Sequence, residues 1–229
     1  MPAVLDWLTT HLATFGSEAV TIDGLLGALF FLVAELAVAR SLRWAWPACA
    51  VLCAGFAVLA VAEARYADAG IRLVLAGLCA YGWRVRRSGR VPGVRRPTSR
   101  EAAYGVVLLA IASVVAAFAL TAQVSAQSAP ANAASTVASW GAAVVVAGLF
   151  VQVAALARGI VVGWWAALGT ALVGLALQLA AGSWPTAALA FASGIVAVYG
   201  LSRWRRETVA SAEDVVAPAR RAVDEDVAA

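Results

Sequence analysis

Residues 65–87 read RYADAGIRLVLAGLCAYGWRVRR. The stretch opens on charges, runs through about one membrane thickness of small and apolar residues, and closes on Tyr81, Gly82, Trp83 and a burst of arginine. Two settings fit it: a core helix of a soluble domain, or a membrane span with an aromatic end. Composition separates them. Hydrophobic residues make up 63% of the 229 and charged residues 13%, against roughly 45–50% and 25% in soluble domains, so the expected solvent is lipid. All 17 basic residues are arginine. The absence of lysine removes the P-loop clamp, the Schiff base and the lysine general base. The single histidine, His11, stands beside no cysteine or carboxylate cluster, which leaves a zinc site or a Ser/His/Asp relay without parts. Cys49, Cys53 and Cys79 fall inside apolar runs and read as small packing residues.

Outward from this stretch, apolar runs of spanning length occur at 20–38, 45–62, 67–84, 102–122, 136–157, 160–180 and 184–202. The expected fold is therefore an all-α membrane protein with seven transmembrane helices. Residues 1–19 lack the basic start of a signal peptide. Within them Leu5, Leu8, Leu12 and Phe15 recur at helical spacing and suggest a short surface helix, the alternative being a disordered lead-in. Residues 207–229 are acidic, alanine-rich and free of aromatics, and read as a disordered tail. Arginines gather between spans one and two (Arg40, Arg43), three and four (Arg84, Arg86, Arg87, Arg90, Arg95, Arg96, Arg100), five and six (Arg158), and after the last span. Such loops stay cytoplasmic, which puts the N-terminus outside and the C-terminus inside. Topogenic charge accounts for the arginine-rich loop without nucleic acid as a partner.

Slid against itself by 118 residues, the chain aligns Arg40 with Arg158, Trp46 with Trp164, Tyr66 with Trp184, Asp68 with Thr186, and Tyr81-Gly82 with Tyr199-Gly200. Seven spans then read as three plus one plus three: a first repeat at 20–87, a basic loop, linker helix and outer loop at 88–135, and a second repeat at 136–206. Parallel repeats about an axis along the membrane normal are a transporter architecture, with substrate near the midplane between the halves.

A planar substrate needs an aromatic face and a few hydrogen-bond partners in an apolar cavity. Polar side chains inside spans are costly unless they face a cavity or a partner, which singles out Gln152, Gln178, Thr170, Ser193 and Glu35. Gln152 is mid-span and leads as a polar contact, its alternative being an interhelical hydrogen bond. Glu35 is near enough to the end of its span to pair with Arg40 or Arg43; facing a cavity instead, it becomes a candidate proton site. Asp68 and Arg72 have the spacing and order of a helical ion pair. Trp44, Trp83, Trp184 and Trp204 at span ends read as interfacial belt. Trp164 and Trp165 lie about 100° apart on one helix, so at most one faces a cavity squarely; the match of Trp164 to Trp46 favours Trp165 as the stacking platform.

The run Tyr66-Ala67-Asp68-Ala69-Gly70 with Tyr81-Gly82-Trp83 resembles the "YADAGLQ…YGWW" signature of the PnuC family of vitamin transporters. Trp46-Pro47 resembles the family's "WPIG", and Trp184 to Gly200 its closing "YLTALLY…YGY" helix, so the likeness covers roughly 20–206. It implies a SWEET-like bundle that passes nicotinamide riboside, or in relatives thiamine or riboflavin, by facilitated diffusion across the bacterial plasma membrane, with no cofactor of its own and trapping by a cytoplasmic kinase. The family's "WxxW…N/D" motif is incomplete, since the sequence reads Gly163-Trp164-Trp165-Ala166-Ala167-Leu168-Gly169-Thr170, and Arg72 stands at the family's Gln. The expected substrate-binding residues are Trp165, Trp164, Gln152, Thr170, Trp46 and Tyr199. The expected partners are a vitamin, the bilayer and a cytoplasmic kinase acting downstream; a homo-oligomer is compatible with the sequence, which does not set the oligomeric state. A membrane enzyme, a receptor and a structural subunit without a cavity are the rival readings.

Overall fold

The computed structural model describes residues 11–15, 18–88, 94–126 and 133–228. Among these, a two-stranded hairpin, β1 (His11–Phe15) and β2 (Glu18–Thr21), precedes seven helices: α1 (Ile22–Ala39), α2 (Ala45–Ala62), α3 (Tyr66–Arg87), α4 (Ser99–Ala126), α5 (Ala133–Ala157), α6 (Val162–Ala180) and α7 (Trp184–Ala228). Five contain stretches long and apolar enough to cross a membrane: Ala45–Ala62, Ser99–Phe118, Trp140–Ala157, Val162–Ala180 and Trp184–Val209. α1 offers the shorter apolar run Leu25–Ala39. α3 carries Asp68, Arg72, Arg84, Arg86 and Arg87; it is amphipathic and lies against α2 along its length.

Both termini depart from expectation. The helical spacing at Leu12 and Phe15 does not yield a helix, because those residues belong to β1, which pairs antiparallel with β2 from Phe15↔Glu18 to His11↔Thr21. Leu5 and Leu8 lie outside the described residues. The pattern of four apolar residues fits either period when short, and the sequence that separates the strands, Gly16-Ser17, is of hairpin type. At the other end α7 continues to Ala228, so the expected disordered tail is helical. Alanine, glutamate and arginine are strong helix formers, and the extension begins with an Arg203–Glu207 ion pair at 3.1 Å, the i,i+4 arrangement that supports an exposed helix.

The turns explain the helix lengths. α1 ends with the Leu42 amide on the Ala37 carbonyl at 2.9 Å and the Ser41 amide on Val38 at 2.9 Å, the double bond of a Schellman cap, with Ser41 left-handed at φ 57°. α5 ends the same way 118 residues later: Ile160 on Ala155 at 2.9 Å, Gly159 on Leu156 at 3.1 Å, and Gly159 at φ 71°. α2 and α6 repeat the match, with Arg65 on Ala60 at 2.8 Å and Ser183 on Gln178 at 2.9 Å; the left-handed residues are Ala64 and Gly182. The left-handed residues Ser41 and Gly159, and Ala64 and Gly182, thus stand at the same offset of 118.

α2 packs on α3 and α6 on α7; across the two sets, α1 packs on α7 and α3 on α5, while α4 rests on α5. At the end where α1 and α5 terminate, Val38, Trp46, Leu156, Val161, Trp164, Leu201 and Trp204 form the buried core with several alanines. Between lipid-surrounded helices such packing, rather than transfer from water, supplies the attraction. The segment before α4 docks at the same end: the Arg95 amide bonds Gly159 at 2.9 Å, the Val161 amide bonds the Arg95 carbonyl at 3.1 Å, and the Arg95 guanidinium forks onto Glu101 at 2.6 and 2.7 Å. Those bonds hold the guanidinium above its ordinary pKa. Thr98 and Glu101 form a capping box that starts α4, with the Thr98 amide on Glu101 at 3.0 Å and the Glu101 amide on Thr98 Oγ1 at 3.3 Å.

Candidate functional site

A cavity of about 550 Å³ lies between α1, α2, α3 and α5, within the range of small-molecule sites. Its walls are mostly apolar, with Phe31, Phe56, Leu75 and Val146 among them, and α6 and α7 contribute Trp164 and Leu189. The first three helices supply most of the lining, so the chamber sits off-centre in the seam. One end is marked by Leu59, Arg65 and Asp68 at the α2–α3 turn. Arg65 bonds Glu63 at 2.8 Å and also pairs with Asp68. Both Arg65 and Asp68 side chains keep about a third of their surface exposed, so this end is the mouth. The other end is stopped by Val38, Leu156, Trp46 and Trp164, all buried.

The stopper is built twice. The Trp46 ring lies on Gly82 so closely that a Cβ there would overlap it, and Trp164 lies on Gly200, where a Cβ would stand 2.6 Å from the indole. Only glycine admits the ring at either place. Above Trp46 sits the Arg86 guanidinium at 5.5 Å, and on Trp164 the Trp204 ring rests edge-on at 5.7 Å. Arg86 also faces Trp204 at 5.5 Å and donates from Nη2 to the Leu156 carbonyl at 2.9 Å. Arg86 therefore belongs to the buried end of the bundle, where it does more than orient a loop. Trp204 is fully buried and donates Nε1 to the Ala39 carbonyl at 3.2 Å, which corrects its expected place in the interfacial belt. Trp44, Trp83 and Trp184 are exposed.

Of the six expected binding residues, the fold brings Trp46, Gln152 and Trp164 to the cavity wall. The other three are elsewhere. Trp165, expected as the platform, is 48% exposed on the outside of α6 with Arg205 over its ring at 5.1 Å. Thr170 bonds the Ala167 carbonyl at 2.9 Å and packs its methyl against Gly148, so it joins α6 to α5. Tyr199 is half-exposed, with its hydroxyl against Arg40 and Arg203. Of the adjacent pair it is Trp164, and not Trp165, that lies at the chamber wall. The match of Trp164 to Trp46 pointed to packing, and both tryptophans are buried at the closed end of the chamber.

The polar wall centres on Glu35, which is 8% exposed. Its Oε1 accepts from Gln152 Nε2 at 2.9 Å, so Gln152 makes the interhelical bond and lines the cavity together. Among the described residues Glu35 Oε2, Trp164 Nε1 and Ser193 Oγ make no bond of hydrogen-bond geometry, although the buried Ser193 hydroxyl stands beside the Glu35 carboxyl. The expected pairing of Glu35 with Arg40 or Arg43 is not formed. Nor is the Asp68–Arg72 pair: Asp68 takes Arg65, and Arg72 lies over the Phe56 ring at 5.1 Å. Gln178 accepts from Thr186 at 3.0 Å at the mouth-side turn. The three cysteines, expected as packing residues, are free thiols of the cavity wall on α2 and α3. Among the described residues no group of three or more His, Cys, Asp or Glu could hold a metal ion.

Apolar helices of spanning length around this chamber define a multi-pass membrane protein with an internal cavity of small-molecule size. A family model described as nicotinamide mononucleotide transporter matches residues 21–206, and the chain belongs to that family, also called PnuC. No curated protein and no solved structure gives a significant match.

Proposed function

We propose that the protein carries nicotinamide riboside or a closely related vitamin across the bacterial inner membrane by facilitated diffusion, and that phosphorylation by a cytoplasmic kinase makes uptake one-way. In this reading the seven helices all span, as two parallel three-helix units joined by α4 in a SWEET-like bundle, with the N-terminus outside and the C-terminus in the cytoplasm. The observation that carries it is the roughly 550 Å³ chamber in which an indole, Trp164, stands near a buried amide, Gln152. An aromatic face and a few fixed polar groups in an apolar cavity are what a planar vitamin needs. The paired turns at Ser41 and Gly159 and at Ala64 and Gly182, together with the family, support the repeat. A chamber of this size also counts against a purely structural subunit. Trp46, Gln152 and Trp164 are the proposed contacts.

The test is uptake of labelled nicotinamide riboside, thiamine and riboflavin into proteoliposomes holding the purified chain. Saturable uptake of the riboside without an ion gradient is expected; no uptake of any of the three rejects the reading. Glu35 supports a second mechanism, because a carboxylic acid in a cavity wall is a candidate proton site. Carriage coupled to protons predicts uptake that collapses when the proton gradient is dissipated, and indifference to the gradient rules it out.

A further inference from the structure

Resting on the transport reading, we propose that Glu35 selects the charge of the substrate: the cavity takes aromatic rings with a fixed positive charge, such as N-substituted pyridinium or thiazolium rings, in preference to neutral rings of the same shape.

The carboxyl is more than nine-tenths buried and forms part of the chamber wall. One oxygen is held by Gln152, which fixes its direction; the other makes no bond of hydrogen-bond geometry, and the Ser193 hydroxyl beside the carboxyl is a neutral group that brings no counter-charge. The ion pairs among the described residues join Arg65 to Glu63 and Asp68, Arg95 to Glu101, and Arg203 to Glu207. None of them reaches Glu35. A buried carboxylate without a counter-charge is strongly disfavoured, and the chamber offers the vacant side to whatever occupies it. Phe31, one turn from Glu35 on α1, lines the same chamber, and an aromatic face attracts a cation through its quadrupole. A flat cation against that ring and the carboxylate satisfies both at once. A neutral ring satisfies the stacking alone and leaves the carboxylate without a counter-charge, the situation in which a site built for a polar partner rejects its isostere. Arg65 at the mouth is matched by two acids; Arg72 lies over Phe56 and keeps its positive charge on the α3 wall, so the selection is carried against it by Glu35.

The inference orders the candidate vitamins. Nicotinamide riboside carries a pyridinium and thiamine a thiazolium, whereas riboflavin is neutral. The cleanest probe pair is nicotinamide riboside and its reduced dihydropyridine form, which share sugar and carboxamide and differ in ring charge. In proteoliposomes the wild-type chain is expected to favour the oxidised form by about tenfold or more. Glu35→Gln is expected to bring the two within about threefold of each other, chiefly through loss of the cation, and Glu35→Asp to keep the preference. Quenching of tryptophan fluorescence by each probe in detergent measures the same discrimination for a variant that folds without transporting. Equal uptake of both forms by the wild type, a preference for the reduced form or riboflavin, or a proportionate loss of both forms in Glu35→Gln overturns the inference and leaves the transport reading standing. Failure of the wild type to take up any of the four compounds overturns both.

Discussion

Trp164 and Trp165 are neighbours on α6 with opposite fates: one is completely buried at the floor of the chamber, the other half-exposed beneath Arg205. Trp165→Ala is therefore expected to leave proteoliposome uptake within about twofold of wild type, the ordinary outcome for a surface position. Trp164→Phe, which keeps an aromatic ring but removes the indole N–H and part of the stacking face, should lower uptake by about tenfold, the scale of one lost contact. Loss of uptake in Trp165→Ala with normal folding would return the platform to that residue. The sequence fixes that only one of the two can face inward, because adjacent helix positions diverge by about 100°. It cannot say which one, since that depends on how α6 is rolled against α5 and α7. Glu35 was legible as an intramembrane acid but not in its direction: an arginine two turns away and a glutamine 117 residues away are equally plausible partners until α1 is seen against α5. Trp204 carried a usable signal. It occupies in the second unit the place of Arg86 in the first, and both pack on the tryptophan of their own unit.

Element boundaries were readable wherever hydropathy switches within a few residues, as at the α1–α2 and α5–α6 turns. The ends of the chain were not, because short amphipathic segments and alanine-rich charged ones are compatible with more than one state. The turns also show an asymmetry that stability measurements can detect. In the second unit the left-handed positions are filled by Gly159 and Gly182, in the first by Ser41 and Ala64. A side chain at positive φ costs about 1 kcal/mol. Ala64→Gly, at an exposed turn, is accordingly expected to raise the midpoint of thermal unfolding in detergent, with a gain of about 0.5–1 kcal/mol after the added freedom of the unfolded chain is subtracted. The reverse holds where glycine serves contact. Gly82→Ala and Gly200→Ala each push a methyl into a tryptophan ring and should each destabilise by about 1–3 kcal/mol. Equal losses fit two equivalent units; a tolerated alanine at either position would show that its tryptophan has room to shift.

Across the whole molecule the rare residues that align at an offset of 118 acquire a reason. Arg158, at the end of α5, donates from Nε to the Tyr81 hydroxyl on α3 at 3.3 Å, and Arg40, at the end of α1, meets the Tyr199 hydroxyl on α7. Each arginine reaches the tyrosine of the other unit, so the coincidences at an offset of 118 mark contacts that hold the two sets of helices together at one end. That end is also where Trp46, Trp164, Trp204 and Arg86 close the chamber, while the end at Arg65 and Asp68 carries the mouth. Access to the chamber should therefore be one-sided in this state. The cysteines provide the probe, because Cys53, Cys49 and Cys79 face the chamber on α2 and α3, and Cys53 is one turn nearer the mouth than Cys49. A membrane-impermeant methanethiosulfonate applied from the side bearing Arg65 is expected to block uptake, to react at Cys53 faster than at Cys49, and to be slowed by saturating nicotinamide riboside. Applied from the opposite side, the reagent meets the tryptophan floor and should react at least about tenfold more slowly, as expected when access requires opening of a packed region. A chain with all three cysteines changed to serine should be insensitive from both sides. Equal inactivation from the two faces would mean that the tryptophan layer does not close the path.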